Sequence, residues 1–235
     1  MAETDAVMIR ASDLTHQVGI ADTSLTILSD VTLSIKVGES VAILGRSGSG
    51  KTTLLGLLAG LDLPSSGRIE MAGQCISDMD EDSRARLRAN RVGFVFQSFQ
   101  LMPTLTALDN VLLPLELGDL QDARGRAREL LQRVGLGERL DHTPRQLSGG
   151  EQQRVAIARA FAATPDVLFA DEPTGNLDTE TGAQIADLLM DLNREHGTTL
   201  VLVSHDEELA GRCSRRIRMD GGRLLAGAPT PEVAL

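Results

Sequence analysis

Two stretches of this sequence carry residue types suited to holding and splitting a phosphate anhydride. Gly45-Arg46-Ser47-Gly48-Ser49-Gly50-Lys51-Thr52 matches G-x-x-x-x-G-K-[ST] at every fixed position. Glycines in such a loop let successive backbone N–H groups curl around phosphate oxygens at a helix N-terminus. Lys51 is then set to reach the β- and γ-phosphates of a nucleotide and the Thr52 hydroxyl to ligate Mg²⁺, with Thr53 counted in the same loop. A glycine turn with a solvated lysine would have a similar composition. Here, however, apolar Val41–Leu44 precedes the loop and the compact stretch Lys51–Leu61 follows it, which is strand–loop–helix order. The second stretch, Val167-Leu168-Phe169-Ala170-Asp171-Glu172, is an apolar strand ending in two carboxylates. Asp171 would lie at the carboxyl edge of a sheet, where a Mg²⁺ held by the glycine loop sits. Glu172 would orient or deprotonate the attacking water. Alone, the pair is an acidic turn; beside the loop it reads as half of an ATPase.

Leu147-Ser148-Gly149-Gly150-Glu151-Gln152-Gln153-Arg154 is another Ser/Gly-rich loop running into a helix, whose apolar positions include Val155, Ile157, Ala158 and Phe161. Ser-Gly-Gly alone is an ordinary capped helix start. The eight residues together, a short way before the Asp171–Glu172 pair, are too specific for that.

With this motif the chain resembles, over nearly its whole length, the ATP-binding subunits of ABC transporters, in which LSGGEQQR is the signature motif. The resemblance identifies Gln97 in FVFQSF as the Q-loop glutamine, Gly175-Asn176-Leu177-Asp178 as the D-loop, and His205 in LVLVSHD as the switch histidine. Outside that context Gln97 would be a polar residue after a strand, Asp178 a plain helix cap, and His205 a surface residue opening a helix. The stretches DEPTGNLD, VGFVFQSFQLMPTLTALDNVLLP and LLAGLD are similar to the branch containing the LolD, MacB and FtsE ATPases. The run from DMDEDSRARLRA through GERLDH to LNREHGTTL is most similar to the YbbA group.

The resemblance implies an α/β fold: a P-loop NTPase (RecA-like) core with a mostly parallel sheet, an N-terminal antiparallel β subdomain and an inserted helical subdomain. It implies a single ABC ATPase domain over residues 1–235, with the helical subdomain over 98–160. It further implies two copies closing head to tail around two MgATP, Ser148, Gly149 and Gly150 of one copy meeting the ATP held by Lys51 of the other. Glu172 and His205 would place water against the γ-phosphate. Gln97 would touch Mg²⁺ and sense a separate integral-membrane permease, which would dock near Leu101–Pro114. The protein would then be cytoplasmic and peripheral on the inner face of the cell membrane. Its cargo would be hydrophobic or lipid-linked, or force would be transmitted without transport.

One departure concerns the base. The family usually stacks adenine on an aromatic residue upstream of the P-loop, and the segment DLTHQVGIADTSLTIL contains no Phe, Tyr or Trp. Val18 holds that position, and His16 carries the only ring there. Aromatic stacking contributes on the order of 1 kcal/mol, so weaker adenine discrimination is expected.

The elements that must position these groups show in the hydrophobic pattern. Val31, Leu33, Ile35 and Val37 recur at period two, and Gly38-Glu39-Ser40 leads into Val41–Leu44, which predicts a hairpin feeding a buried strand. Residues 80–91 and 119–136 are charged and helix-forming, the second with Leu120, Ala123, Ala127, Leu130, Leu131 and Val134 on one face. A buried strand over Val167–Ala170, a helix over Thr181–His196 ended by Gly197, a strand over Thr198–Val203 and a hairpin turning at Asp220-Gly221-Gly222 follow. Alternating strands and helices imply a mostly parallel sheet. Residues 226–235, with two prolines and little to pack, read as a loose tail.

Length and composition agree with one globular α/β domain: 235 residues, 42% hydrophobic and 24% charged. A net charge of -10 lacks the basic footprint of a nucleic-acid binder. No run approaches the roughly 18 apolar residues of a membrane span, so a soluble, cytosolic chain is expected. Cys75 and Cys213 lie far apart without metal-ligand spacing and read as reduced structural thiols. The main alternative is a soluble ABC ATPase acting on DNA or ribosomes. Such proteins ordinarily fuse two ATPase units or insert coiled coils or zinc modules, none of which occurs here. A small P-loop kinase would leave the signature motif unexplained.

Overall fold

Alternation of apolar and polar residues builds the first sheet. In the computed structural model, which describes residues 6–20, 23–118 and 122–225, strands β1 (Val7–Ile20) and β2 (Thr23–Lys36) pair antiparallel. Ile9, Ala11 and Leu14 of β1 and Val31, Leu33 and Ile35 of β2 are buried, so one face is dry. Strand β3 (Ser40–Leu44) is different, with four consecutive buried residues and therefore no wet face. It leads into helix α1 (Lys51–Leu58), after which β4 (Ser66–Met71) pairs antiparallel with β1 and with the short β5 (Gln74–Cys75).

Contacts divide the chain into two compact units, Met1–Arg84 with Thr199–Leu235, and Ala85–Thr198. The chain passes from the first to the second within helix α2 (Glu81–Arg91). The second unit holds β6 (Val92–Phe96), α3 (Ala107–Leu117), α4 (Ala123–Arg133), α5 (Gly149–Ala162), β7 (Val167–Asp171) and α6 (Thr179–His196). There β6 and β7 run parallel, and α5 packs against β6, α3, α4 and α6. Asp122 caps α4, on which Ala127, Leu130 and Leu131 are buried, with Val134 just beyond its end; Leu120 lies outside the described residues. Gly197 closes α6 in the left-handed region at φ 63°.

The chain then returns to the first unit with β8 (Thr199–Ser204), α7 (Glu207–Gly211), β9 (Arg215–Asp220) and β10 (Arg223–Leu225). Here β3 lies between β8 and β9 and is parallel to both, and β9 and β10 form the hairpin expected at Gly221-Gly222. The hairpin expected between Val31–Val37 and Val41–Leu44 is corrected. The partner of β2 is β1, β2 ends at Lys36, and Val37 is exposed. The reason lies in the side chains. A strand with one apolar face can edge a half-wet sheet, whereas apolar Val41–Leu44 must be buried on both faces between parallel neighbours. Among the described residues no helix is long and apolar enough to cross a membrane. The expected tail over 226–235 lies outside the described residues.

Candidate nucleotide site

The first unit carries the P-loop between the end of β3 and the start of α1. Gly50 takes φ 96° at the helix N-cap, a conformation that disfavours a side chain, and a Cβ there would lie 2.8 Å from Leu28 Cδ2. A Cβ on Gly45 would collide with the Met219 carbonyl oxygen. The turn after β9 also ties the loop from outside: the Gly222 N–H donates to the Ser49 carbonyl at 3.1 Å, and the Ser29 N–H donates to the Gly222 carbonyl at 3.0 Å. The Lys51 ammonium is folded into the loop and buried, donating to the Gly45 and Arg46 carbonyls at 2.7 and 2.9 Å.

Several observations fit this loop to a phosphate chain. Helix α1 begins without a side-chain cap and without an acidic residue in its first turn, so its initial N–H groups and positive dipole end suit an anion. Buried Ser49 Oγ has no hydrogen-bond partner. Arg46, Ser47, Gly48 and Thr52 are exposed, and Thr53 is half-buried. His205, exposed just beyond β8, lines an open cleft of about 580 Å³ with Gly45, Arg46 and Arg218. Val18 is 44% exposed and sits directly across β1–β2 from Leu25, itself 50% exposed. The His16 ring, by contrast, is buried, its Nε2 3.9 Å from Asp62 Oδ2.

The second unit gathers the acidic and polar set. Parallel register places Phe96 opposite Asp171, so Gln97 and Glu172 are the next residues out of adjacent strand ends. Glu172 holds φ 47°, left-handed for a residue with a side chain, a strain that clusters at functional positions. Gln97 and Asn176 are reciprocally bonded: Gln97 Nε2 donates to Asn176 Oδ1 at 3.0 Å, and Asn176 Nδ2 donates to the Gln97 carbonyl at 2.9 Å.

The signature motif opens α5 as a capping box. The Ser148 N–H donates to Glu151 Oε2 at 2.8 Å, and the Glu151 N–H donates to Ser148 Oγ at 3.3 Å. That backbone bond to Ser148 holds the Glu151 carboxyl below its ordinary range. Gly149 and Gly150 form the first turn of the helix. Deeper in α5, Gln153 is fully buried and donates to the Pro173 carbonyl, next to Glu172, at 2.6 Å. Asp178 caps α6, accepting from the Thr181 N–H at 3.0 Å, and that bond lowers its pKa. The cap reading and the D-loop reading thus fall on one residue.

Sequence reasoning passed over Arg159. From α5 its guanidinium donates to the Gln100 carbonyl at 2.6 Å and to the Phe99 carbonyl at 3.0 Å. Burial lowers its pKa. The available signal was position: Arg159 follows buried Val155 by one helical turn and precedes buried Ala162 by another.

The sequence profile of the ABC transporter family matches residues 28–175. The uncharacterized ABC transporter ATP-binding protein YbbA of Escherichia coli (strain K12) is 58% identical over 219 residues, covering 92% of this chain and 96% of its own length. The lipoprotein-releasing system ATP-binding protein LolD of Xanthomonas campestris pv. campestris (strain 8004) is 44% identical over 231 residues, covering 97% of each chain. The dimeric structure of the ATP-binding cassette MJ0796 in a post-hydrolysis state, bound to ADP and Pi, superposes with a TM-score of 0.86 at 42% identity, covering 92% of this chain and 96% of that one. Profile, relatives and fold agree with the P-loop and the capped signature helix: this chain belongs to the ATP-binding cassettes of the ABC transporter family, which hydrolyse ATP.

Proposed function

We propose that two copies of this chain close head to tail around two MgATP and drive a separate integral-membrane permease. The observation that carries the reading is the 0.86 TM-score to a cassette solved as a dimer with ADP and Pi. Each copy contributes one P-loop and one signature helix, so a second copy supplies Ser148, Gly149 and Gly150 to the ATP bound at Lys51.

In this reading the N–H groups of Gly45–Thr53 cradle the phosphates, Lys51 turns from the loop carbonyls to the β- and γ-phosphates, and Val18 touches the base. Thr52, Gln97 and Asp171 would hold Mg²⁺. When bound, that ion would offset the negative charge that develops on the transferred phosphate. The Glu172 carboxylate takes a proton from the attacking water while His205 orients that water against the γ-phosphate. Asp178 lines the facing surface between the copies. Loss of the γ-phosphate removes the group that both copies share, and the dimer loosens.

Coupling to a permease is assigned to Leu101–Pro114, just beyond Gln97. Met102 and Leu113 are exposed there, and Leu113 and Pro114 edge an apolar pocket of roughly 210 Å³ with Phe94 and Ala160. Fully buried Asn110 fixes the approach to α3, accepting from the Met102 N–H at 2.8 Å and donating to the Met102 and Thr106 carbonyls. The branch likeness to the lipoprotein-releasing ATPase favours hydrophobic or lipid-linked cargo.

Glu172→Gln tests the dimer. The variant is expected to bind MgATP and to accumulate as a dimer by size-exclusion chromatography with light scattering. A protein that stays monomeric at saturating MgATP overturns the head-to-tail reading.

A further inference from the structure

The chain between Gln97 and the loop before α3 makes an unusual turn. Phe99 and Gln100 lie consecutively in the left-handed region, at φ 59° and 47°, with no glycine to ease either. Their conformation is costly and persists only where the surroundings hold it. Two local bonds are present: the Phe99 N–H donates to the Phe96 carbonyl at 3.2 Å, and the Gln100 N–H donates to the Ser98 carbonyl at 2.6 Å. The carbonyls of both strained residues are taken by one side chain, the Arg159 fork from α5. A planar guanidinium suits this geometry because its N–H groups diverge at fixed angles.

We propose that Arg159 is a positioning residue for Gln97. By bridging the Phe99 and Gln100 carbonyls it holds the strained turn, and the turn fixes the strand exit on which Gln97 meets Asn176, two residues before Asp178. The same helix that presents Ser148 at its start thereby sets the Q-loop near its end. The inference rests on the role given above to Gln97.

The test uses the full chain and compares Arg159→Met, Gln97→Ala and the double variant Arg159→Met/Gln100→Gly in steady-state ATPase assays and thermal melts. Met keeps the unbranched apolar stem and removes the fork. Misplacing Gln97 should lower kcat about ten-fold or more while KM for MgATP stays within about two-fold, since the P-loop is untouched. Glycine accepts a left-handed φ without strain, so Gln100→Gly in the Met background should restore kcat at least about three-fold. A merely structural arginine would not yield that rescue. Three results overturn the proposal: kcat unchanged in Arg159→Met, KM rising as strongly as kcat falls, or no rescue by Gln100→Gly. Gln97→Ala separates the two levels. If it leaves kcat unchanged, the role given to Gln97 fails and the proposal with it; if it lowers kcat and Arg159→Met does not, only the proposal fails.

Discussion

The P-loop helix and the signature helix both have glycine at or beside their N-terminus and both are read as facing phosphate, yet they are finished in opposite ways. Helix α1 starts at Lys51 with no side-chain cap and no acidic residue in its first turn. Helix α5 starts with Ser148 and Glu151 closing a capping box, which satisfies the N–H groups of those two residues and places a carboxylate at its positive end. The first start has no side chain among its partners; the second has two of its N–H groups already bonded within the motif. An anion approaching α5 finds part of its donors already in use and faces the Glu151 carboxylate. Such a site holds ligand only when another surface holds most of it. That division suits a nucleotide bound firmly by one copy and released when its terminal phosphate is gone.

The largest effect is expected at Gly45. Gly45→Ala drives a Cβ into the Met219 carbonyl, an overpacking that costs about 1–3 kcal/mol. Titration with a fluorescent ATP analogue should show affinity at least about ten-fold weaker, and the melt should fall by several degrees. Unchanged affinity would mean that the loop is not shaped by its contact with β9. Ser148→Ala removes a helix cap worth about 1 kcal/mol, so the melt should drop by roughly 2–4 °C. Affinity of the isolated copy for ATP should stay within about two-fold, while the dimer trapped by Glu172→Gln should be lost. An affinity loss as large as that of Gly45→Ala would erase the distinction between the two starts. The smallest effect belongs to the base. Without an aromatic platform the protein should favour ATP over GTP only weakly, and Val18→Tyr should increase the preference about five-fold, the equivalent of ~1 kcal/mol. A strong ATP preference in the unaltered protein would defeat this.

How much was legible in the sequence depended on whether the cause was local. The P-loop, the acidic pair after β7 and the signature helix are written in contiguous residues, and propensity and tertiary structure agree there. The β2–β3 hairpin was misread because period-two alternation reports a half-buried strand without naming its partner. Only the all-apolar run Val41–Leu44 hinted that β3 belongs to another sheet. The turn at Phe99–Gln100 left no trace, since its residues have no preference for a left-handed backbone and its cause, Arg159, lies 59 and 60 residues away. Arg159 would be found by asking why a cation interrupts the apolar face of α5, not by any motif.

The strand that delivers the P-loop finds its neighbours late. Both edges of β3 are occupied by segments far downstream, β8 and β9, and the Ser49 carbonyl waits for the N–H of Gly222. Synthesis at roughly 5–20 residues per second leaves an interval on the order of ten seconds or more between the emergence of β3 and that of its partners. Through that interval the nascent chain displays Val41–Leu44, a short apolar strand with neither edge paired, the kind of segment that adheres to other strands. Competence to bind nucleotide therefore waits on the emergence of β8, β9 and Gly222, and until then the strand stays open to wrong partners.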